Sequence, residues 1–567
     1  MSLATRTALT LIVATGMLLA ACTPGESPSP DASGGSPGAS SAPTTGGTVR
    51  IGIGGSPDSL NPGNGLLTES YILYELMYDT PISVAPTGEF VPELATDWAV
   101  ADDGVTWTVN LVDNATFHDG TPLTSADLVF SLELYRDTTD FPYLSGYPDV
   151  FESIEAPTAT QVVITTSEPI GNFESRMAFM YVLPKHIWEK VADPVAFENA
   201  DMIGSGPFKL AEYQKDQFSR LDTNVDYWRT PALVDGVIFQ TYTNPDARIA
   251  ALTSGDVDAI TEYPATAVAI LNQTENIKTL VTDVAAGGSL RDVFFNLVDP
   301  ADCPTDDGGI CSGHEAVRDL VVRKAMAMAV DKQRIIDVAT LGTGALGLSL
   351  VPPGLGDFYL GDQADYQLNV SGANQLLDDA GYHDTTQDGI RECKDGQSCE
   401  DLTFRFAYPN DIDTGAREAE LLKAMWAEIG INIEITSLDA DALTAICCPA
   451  FDYDVMLWGW GSDPDPSFLL GVPTCDNVTN GFNETGYCDA DYDELFTAQG
   501  RETDHNTRVD MVHQLQQQLL DDVVYLVPYY QQNIEAFRTD TFAGWYEGPQ
   551  SFGLDDPSSL MFVHPVE

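Results

Sequence analysis

The residues near position 460 include the side chains best suited to hold a charged small molecule. Residues 455–458 (Val-Met-Leu-Trp) form a continuous apolar run, which predicts a buried strand that ends near Trp460. Asp463 and Asp465 follow that strand directly. Because clefts in open α/β sheets form at the carboxyl ends of strands, we expect Asp463 to lie at a cleft, with Asp465 as the neighbour that could replace it. A buried carboxylate there would make a short, charge-assisted hydrogen bond to an ammonium group. The alternative is structural, since Asp463-Pro464 would also start a turn.

Aromatic and amide side chains complete the set of binding candidates. Clefts that bind small molecules are lined by apolar and aromatic residues with a few polar anchors. Trp460 and Tyr408 are candidates for that lining, whereas Trp458 is expected in the core. Asn61, near the first turn, and Asn296 are candidate contacts at the rim.

Catalytic and metal-binding patterns are missing from the sequence. The body of the chain after Gly47 contains no G-x-S-x-G elbow and no H-E-x-x-H motif, and the seven histidines of the sequence do not cluster. We therefore expect no catalytic residues, no metal and no other cofactor. A secreted hydrolase stays as an alternative that this pattern disfavours.

Eight of the nine cysteines lie in the body of the chain. Cys303/Cys311, Cys393/Cys399 and Cys475/Cys488 each bracket a polar loop, and none has zinc-site spacing. In an exported protein such local pairs predict disulfides. The adjacent Cys447 and Cys448 either form a strained vicinal bridge or stay reduced and buried.

The N-terminus has the layout of an export signal. Arg6 precedes a short apolar run that ends in Leu19-Ala20-Ala21-Cys22, and the run is too short for a membrane span of about 20 residues. The placement of Cys22 resembles the lipobox of bacterial lipoproteins, in which that thiol receives a lipid. A plain secretory signal with a chance cysteine is the alternative.

A tether and a large body follow the signal. Residues 23–47 contain no large apolar residue, so they cannot offset their ordering entropy, and as a flexible chain they would span roughly 25–30 Å. The roughly 520 residues after them exceed the size at which one core stops growing, about 250–300 residues. At least two lobes are therefore expected.

The charge is strongly negative. The chain has 26 Lys and Arg against 86 Asp and Glu, a net charge of −60. This field repels nucleic acid and anionic lipid surfaces, so neither is expected as a partner. It also disfavours anionic ligands unless a local base compensates.

Hydrophobic periodicity outlines the elements. Residues 47–53 alternate as a first strand, residues 90–201 are rich in strands, and residues 315–339 predict one long helix. Between residues 417 and 460, helix, strand, helix and strand alternate. That order predicts a sheet covered on both faces.

Several motifs, in order, resemble the family 5 extracellular solute-binding proteins, the dipeptide-, oligopeptide- and nickel-binding components of ABC importers. They cover almost everything after Gly47, and they are residues 92–98 (PELATDW), 103–107 (DGVTW), 117–131 (FHDGTPLTSADLVFS), 203–208 (IGSGPF), 224–228 (NVDYW), 250–259 (AALTSGDVDA), 294–296 (FFN), 317–331, 373–382 and 458–466.

The resemblance implies an α/β fold with two lobes, like that of periplasmic binding proteins, with a hinge cleft and an inserted strand-rich region. The expected domains are listed in chain order: signal peptide 1–21, tether 22–47, first lobe 48–89, inserted region 90–202, first lobe again 203–300, second lobe 301–527 and the C-terminal part of the first lobe 528–567.

The resemblance also implies roles for two residues. The Asp at the position of Asp463 receives the α-ammonium group of a bound peptide in relatives. An Arg placed like Arg405, four residues before Pro409-Asn410, holds the ligand's carboxylate in dipeptide-binding relatives, which suits the bidentate geometry of guanidinium. The alternative for Arg405 is a solvent-facing strand residue between Phe404 and Phe406.

The function that follows is capture of a short peptide at the outer face of the cytoplasmic membrane. The expected protein is a monomer held by a lipid on Cys22, and it delivers its peptide to the permease subunits of an ABC importer. Two further alternatives stay open. One is another solute of the same family, such as an oligosaccharide, an opine or a nickel chelate, and the other is a surface sensor.

Overall fold

Alternating apolar residues build the strands of the fold. In the first strand, Val49 and Ile51 are fully buried while Thr48 and Arg50 face solvent, as the period of two requires. The computed structural model describes residues 44–284, 288–361, 365–410, 412–480 and 482–566. The signal segment, Cys22 and most of the tether therefore lie outside the described residues.

The strands of the described residues follow in chain order: β1 (Thr48–Ile53), β2 (Ile82–Val84), β3 (Phe90–Pro92), β4 (Ala95–Val100), β5 (Thr106–Leu111), β6 (Phe151–Thr158), β7 (Gln161–Thr166), β8 (Phe208–Gln214), β9 (Phe218–Thr223), β10 (Gly236–Thr241), β11 (Ala259–Ile260), β12 (Ile277–Val284), β13 (Ser289–Phe295), β14 (Gly344–Leu346), β15 (Thr403–Pro409), β16 (Asn432–Leu438), β17 (Val455–Gly461), β18 (Tyr525–Arg538), β19 (Phe542–Ala543), β20 (Gln550–Ser551) and β21 (His564–Pro565).

The α-helices follow in the same way: α1 (Thr68–Met77), α2 (Ser125–Asp137), α3 (Phe173–Ala178), α4 (Lys185–Trp188), α5 (Pro245–Ser254), α6 (Val268–Leu271), α7 (Leu320–Met328), α8 (Lys332–Val338), α9 (Val370–Ala380), α10 (Gly415–Ala427), α11 (Ala440–Cys447), α12 (Ser467–Gly471), α13 (Asn477–Asn480), α14 (Ala490–Arg501), α15 (His505–Asp521) and α16 (Pro557–Leu560).

A mixed sheet forms the framework, and its strands follow the order β16-β15-β17-β13-β18-β11-β1-β10-β9-β8. Strand β18 runs through both parts of this sheet. Its first residues pair with β13 and β14, with Tyr530 opposite Leu290, and its last residues pair with β12 and β11, with Gln532 opposite Asp283. We call the part around β1, β8–β12 and the end of β18 the first half, and the part around β13–β17 the second half.

The second half is covered on both faces, as the sequence predicts. In β13, Val293 and Phe295 enter one buried cluster together with Trp426 of α10. Leu290 and Phe294 enter a different buried cluster together with Leu515 of α15. Since successive strand residues point to opposite faces, helices must pack on each side of this sheet.

A second, four-stranded antiparallel sheet lies within the predicted inserted region and has the order β4-β5-β7-β6. Its Trp107 and Ile164 share one buried cluster with Val49 and Ile51 of β1. The expected fold class is therefore confirmed: a mixed α/β fold with an extra antiparallel sheet. The expected domain boundaries stay predictions.

The prediction of one long helix over residues 315–339 is wrong. The structure has a 3₁₀ turn at Glu315–Arg318, then α7, then α8. Asp319 and Asp331 interrupt the helix, because each is an N-cap. The carboxylate of Asp319 accepts a hydrogen bond from the backbone N–H of Val321, and that of Asp331 accepts one from the backbone N–H of Arg334. The apolar spacing continues across both caps, which is why periodicity alone suggested one helix.

The described residues contain four disulfides. Cys303–Cys311, Cys393–Cys399 and Cys475–Cys488 confirm the three predicted loop pairings. Cys447 and Cys448 form the vicinal bridge rather than staying reduced. Within the described part of the chain, no helix has the length and apolarity needed to cross a membrane.

Candidate functional site

A cavity of about 1040 Å³ opens beside the end of β17. Trp460, Asp463 and Pro464 form its wall on the side of the second half. The facing wall belongs to the first half and to the inserted region, and it includes Tyr71 of α1 and Tyr143. A molecule inside this cavity would therefore contact elements that are far apart along the chain.

The position of Trp460 is fixed by its neighbours. Its backbone pairs with Leu290 of β13, and its indole nitrogen donates a 2.8 Å hydrogen bond to Oε1 of Glu484. Phe468 and Phe482 pack edge-on against the ring, with centroids 5.8 and 6.2 Å away. The half-buried indole is thus held as a rigid aromatic wall, a low-entropy way to contact a ligand.

Asp463 lies two residues beyond the end of β17 and is half-buried. Oδ1 of its carboxylate accepts a 2.9 Å hydrogen bond from the hydroxyl of Tyr143, and Oδ2 lies 3.2 Å from the hydroxyl of Tyr147. Among the ion pairs of the described residues, none includes Asp463. The carboxylate is therefore held by two neutral donors and keeps its charge available for a cation.

The electrostatics of Asp463 follow from this position. Burial raises the pKa of its carboxyl, the two tyrosine hydroxyls lower it, and the nearby Asp465 raises it. Beside it, Ser462 is buried on the cavity wall, and the described residues offer its hydroxyl no hydrogen-bond partner. A ligand that forms a hydrogen bond with the hydroxyl of Ser462 would supply the missing partner.

Four more acids line the cavity: Glu75 on α1, Asp79, Glu93 and Asp556. Burial raises the pKa of Glu93 to about 8, and its neighbour Asp79 adds to this effect. Burial also raises the pKa of Glu75, helped by the nearby Asp556 and Asp555. These carboxyls are held close together with few cations to balance them.

Arg229 is the one base on the cavity wall among the described residues. Its guanidinium lies 3.7 Å from Glu93, donates to the carbonyl of Pro92 and packs 4.6 Å over the ring of Trp228. With five acids and one arginine, the wall favours a cationic ligand or a ligand with a cationic group.

Asp465 has a different environment from Asp463. It is 3 % exposed and pairs through both carboxylate oxygens with Arg508, at 2.7 and 2.8 Å. It also accepts a hydrogen bond from the backbone of Ser467. Asp465 does not line the cavity in the described part of the chain, and its charge is already neutralised.

Arg405 is also engaged elsewhere. Its guanidinium bonds to Asp452 at 2.7 Å, to Asp454 at 2.9 Å and to the carbonyl of Ser312 at 3.1 Å. It is not among the described residues of the cavity wall. In this structure Arg405 links Asp452, Asp454 and Ser312.

Three further candidates lie apart from the cavity as well. Tyr408 is half-buried and packs against Gly415 at the start of α10. The amide of Asn61 donates to the carbonyls of Pro194 and Phe197, and that of Asn296 donates to Phe451 and Tyr453. Both asparagines are 1 % exposed and serve as buried links between loops.

The sequence thus singled out Asp463 and Trp460 on the wall, whereas Tyr143, Tyr147 and the other four acids of the wall were missed. Glu75 carried a weak signal, since it is a charged residue inside the apolar helical stretch near residues 71–78. In a chain with 86 acidic residues, that signal does not stand out.

Potential metal donors come together at His314, Cys393 and Cys399, in the part of the chain that the structure covers. The two cysteines are joined to each other in a disulfide, so their sulfurs are not available as thiolate ligands. The donor set does not fit a metal ion while this bond is intact.

The fold and the two-sided cavity define a solute-binding protein. Residues 89–480 match the model of the bacterial extracellular solute-binding proteins, family 5. The chain belongs to this family, whose members are the solute-binding components of ABC importers, and it is a binding protein and not an enzyme.

Known relatives cover most of the chain. It is 25 % identical over 507 residues to the oligopeptide-binding protein AppA of Bacillus subtilis, covering 87 % of each chain. It is 26 % identical over 503 residues to the dipeptide-binding protein of Escherichia coli, covering 83 % of this chain and 87 % of the relative.

Solved structures share the fold. The structure of AppA from Bacillus subtilis with a nonapeptide superimposes with a TM-score of 0.69 at 22 % identity, covering 93 % of this chain and 100 % of that one. The structure of NikZ from Campylobacter jejuni with Ni(L-His) gives a TM-score of 0.70 at 21 % identity, covering 89 % and 96 %.

Proposed function

We propose that this protein captures a short peptide in the cavity beside β17 and delivers it to an ABC importer. The observation that carries this proposal is Asp463, a half-buried carboxylate on the cavity wall that pairs with no base in the described part of the chain. The α-ammonium group of a peptide is the complementary partner, since it would replace neutral contacts by a charge-assisted hydrogen bond.

The size and lining of the cavity support a peptide. Its volume of about 1040 Å³ lies just above the usual range for small-molecule pockets, roughly 300–1,000 Å³, as a peptide ligand requires. Trp460, Tyr71, Tyr143 and Phe552 provide aromatic surface for side chains. Relatives whose names state oligopeptide or dipeptide binding favour the same ligand class.

A nickel chelate is less well supported. The cavity wall has no histidine and no cysteine among the described residues. The NikZ structure shares only the fold with this chain. A peptide uses the acid and the aromatic surface that the cavity does offer.

Capture would involve closure of two lobes. We assign residues 48–89, 203–300 and 528–567 to one lobe, residues 301–527 to the other, and residues 90–202 to the inserted region. Strand β18 continues from one sheet pairing to the other at residues 531–532, which supports a boundary near this point. Because the cavity wall comes from both sides, closure would enclose the peptide and exclude water.

We also propose a location at the outer face of the membrane. Residues 1–21 would be removed as a signal, Cys22 would carry a lipid and residues 22–47 would act as a tether. The support is the layout of the sequence, in which small residues precede Cys22 and a chain without large apolar residues follows it.

The test is a titration of the purified protein with a library of peptides of two to nine residues, followed by calorimetry. Small-angle scattering of the same samples should show compaction with the peptides that bind. If no peptide in the library binds or changes the scattering, while another solute released from the native protein does, the peptide proposal fails.

A further inference from the structure

A smaller recess of about 240 Å³ adjoins the main cavity. The two share Thr68, Tyr71, Glu75, Phe552 and Asp556 in their walls, so a ligand in the cavity can extend a side chain into the recess. The recess is enclosed by α1, by the residues after β11, by the end of β18 and by the loop that leads into α16.

The walls of the recess carry carboxyl groups and, among the described residues, no base. The acids are Glu69, Glu75, Glu262, Glu535, Asp555 and Asp556. No ion pair of the described residues includes any of the six. Arg248 of α5 is not a wall residue, but its guanidinium lies with Glu262 against Gly54, which is one, and its charge interacts with those of Glu262 and Glu69.

One of these acids, Glu535, has a carboxyl oxygen that makes no hydrogen bond within the described residues. Glu535 is 3 % exposed, and its Oε1 accepts a 2.8 Å hydrogen bond from the backbone of Leu554. Its Oε2 is buried, and the described residues offer it no hydrogen-bond donor. A buried carboxylate oxygen without a donor is costly, so this group either keeps a proton or takes a hydrogen-bond donor from a bound molecule.

We propose that the recess receives the ammonium or guanidinium group of a basic side chain on the bound peptide. This inference rests on the proposed peptide-binding function and adds a preference for lysine or arginine at one position of the ligand. Glu535 Oε2 and the carboxylates of Asp555 and Asp556 would accept the hydrogen bonds of that group.

The protonation of the recess supports this assignment. Burial raises the pKa of Glu535 to about 8 and that of Asp555 to about 7, with the neighbouring acids adding to both effects. The charged and titratable groups around them are Glu69, Glu75 and Tyr71 of α1, Glu262 after β11, Tyr263, Arg248 of α5 and Asp556.

Near neutral pH the recess therefore holds protons that a cationic side chain would replace. Binding of a basic peptide should release protons, and binding of a neutral peptide of the same shape should not. This difference is measurable in calorimetry, because the observed heat then depends on the ionisation enthalpy of the buffer.

The experiment compares tripeptides that carry lysine or norleucine at the first, second or third position and alanine elsewhere. We expect lysine to bind about tenfold or more tightly than norleucine at one position. At pH 7, heats measured in phosphate and in Tris should show proton release for that lysine peptide and none for its norleucine partner.

Two variants locate the effect. Glu535→Gln and Asp555→Asn should each reduce the lysine preference, which is the ratio of the two affinities in the same variant, at least severalfold. Glu434→Gln is the matched control, because Glu434 is an exposed acid on β16 in the second half. It should leave both affinities unchanged.

The possible failures are distinguishable. If peptides bind but lysine and norleucine are equal at every position, the inference about the recess is wrong and the proposed function stands. A lysine preference that survives both variants also contradicts the inference. If no peptide binds at all, the proposed function fails, and the inference fails with it.

Discussion

The hydroxyl of Tyr143 lies 2.9 Å from Oδ1 of Asp463, although the two residues are 320 positions apart in the chain. Tyr143 belongs to the predicted inserted region and Asp463 to the loop after β17. The contact therefore joins opposite walls of the cavity, and it places a weakly acidic donor where a ligand's ammonium group would bind. Tyr147 supports it, since its hydroxyl lies 2.5 Å from that of Tyr143.

Removing the hydroxyl of Tyr143 should change the pH dependence of binding. The tyrosine lowers the pKa of Asp463, which burial raises. In Tyr143→Phe that pKa should rise further, so the loss of peptide affinity on acidification should begin at a higher pH. Calorimetric titrations from pH 4 to 8 measure this shift.

The matched control is Tyr213→Phe, since Tyr213 donates to the carbonyl of Pro57 and does not line the cavity in the described residues. Its pH profile should equal that of the unmodified protein. Identical profiles for Tyr143→Phe and the unmodified protein would show that Asp463 does not titrate with binding.

Asp465 and Arg508 form a buried ion pair that should matter for stability. Both side chains are 4 % exposed, and the pair is bidentate. Arg508→Met would leave Asp465 buried without its partner, which should lower the free energy of unfolding by about 3–5 kcal/mol. Urea denaturation followed by tryptophan fluorescence measures this loss.

Arg501→Met serves as the comparison for that variant. Arg501 pairs with Glu168 but is 52 % exposed, so this substitution should cost only about 0.2–1 kcal/mol. Equal losses for the two variants would mean that burial does not strengthen the Asp465–Arg508 pair.

Stability should fall as the pH rises from about 5 to 8. The pKa of Glu93 and that of Glu535 are raised to about 8, and that of Asp555 to about 7, against about 4 in an unfolded chain. Over this interval the folded protein binds more protons than the unfolded chain. The stability that these three acids contribute is therefore fully present below their unfolded pKa and is lost as the pH rises through their folded pKa values.

Each such acid lowers the free energy of unfolding by at most about 1.4 kcal/mol for each unit by which the pH rises. Thermal unfolding without ligand at pH 5.5 and pH 8.0 should show the lower midpoint at pH 8.0. Glu535→Gln cannot titrate and should flatten the dependence, whereas Glu434→Gln should not. A midpoint that is higher at pH 8.0 would contradict the raised pKa values.

Replacing Cys22 tests the lipid anchor, which lies outside the described residues. In Cys22→Ser the acceptor for the lipid is lost, so the protein should appear in the culture medium instead of the membrane fraction. Cell fractionation and immunoblotting measure this distribution. Continued membrane association of Cys22→Ser would rule out the anchor.

Part of the architecture was predictable from local patterns, whereas the two lobes and the inserted region were implied by the family resemblance. The apolar run before Trp460 predicted β17, and the strand-end rule placed Asp463 near a cleft, where the structure has a cavity. The polar loops between paired cysteines predicted three disulfides correctly. Each of these inferences needed only neighbouring residues.

The details of the site depend on residues that are distant in the chain, and these could not be predicted. Asp463 and Asp465 have nearly the same local sequence, and only Arg508, 43 positions away from Asp465, shows which acid is neutralised. The same holds for Arg405, whose partner Asp454 lies 49 positions away. The acids of the recess come from α1, β18 and the loop before α16, which no periodicity brings together.

The most direct test of the account is the affinity of one peptide with a free and with an acetylated N-terminus, measured for the unmodified protein and for Asp463→Asn. Asp491→Asn, an exposed acid of α14, is the control. We expect acetylation and Asp463→Asn each to weaken binding by about 2–5 kcal/mol, and acetylation to have little further effect in Asp463→Asn. Equal affinity for the free and acetylated peptides in the unmodified protein would contradict the assignment of Asp463 to the ligand's ammonium group.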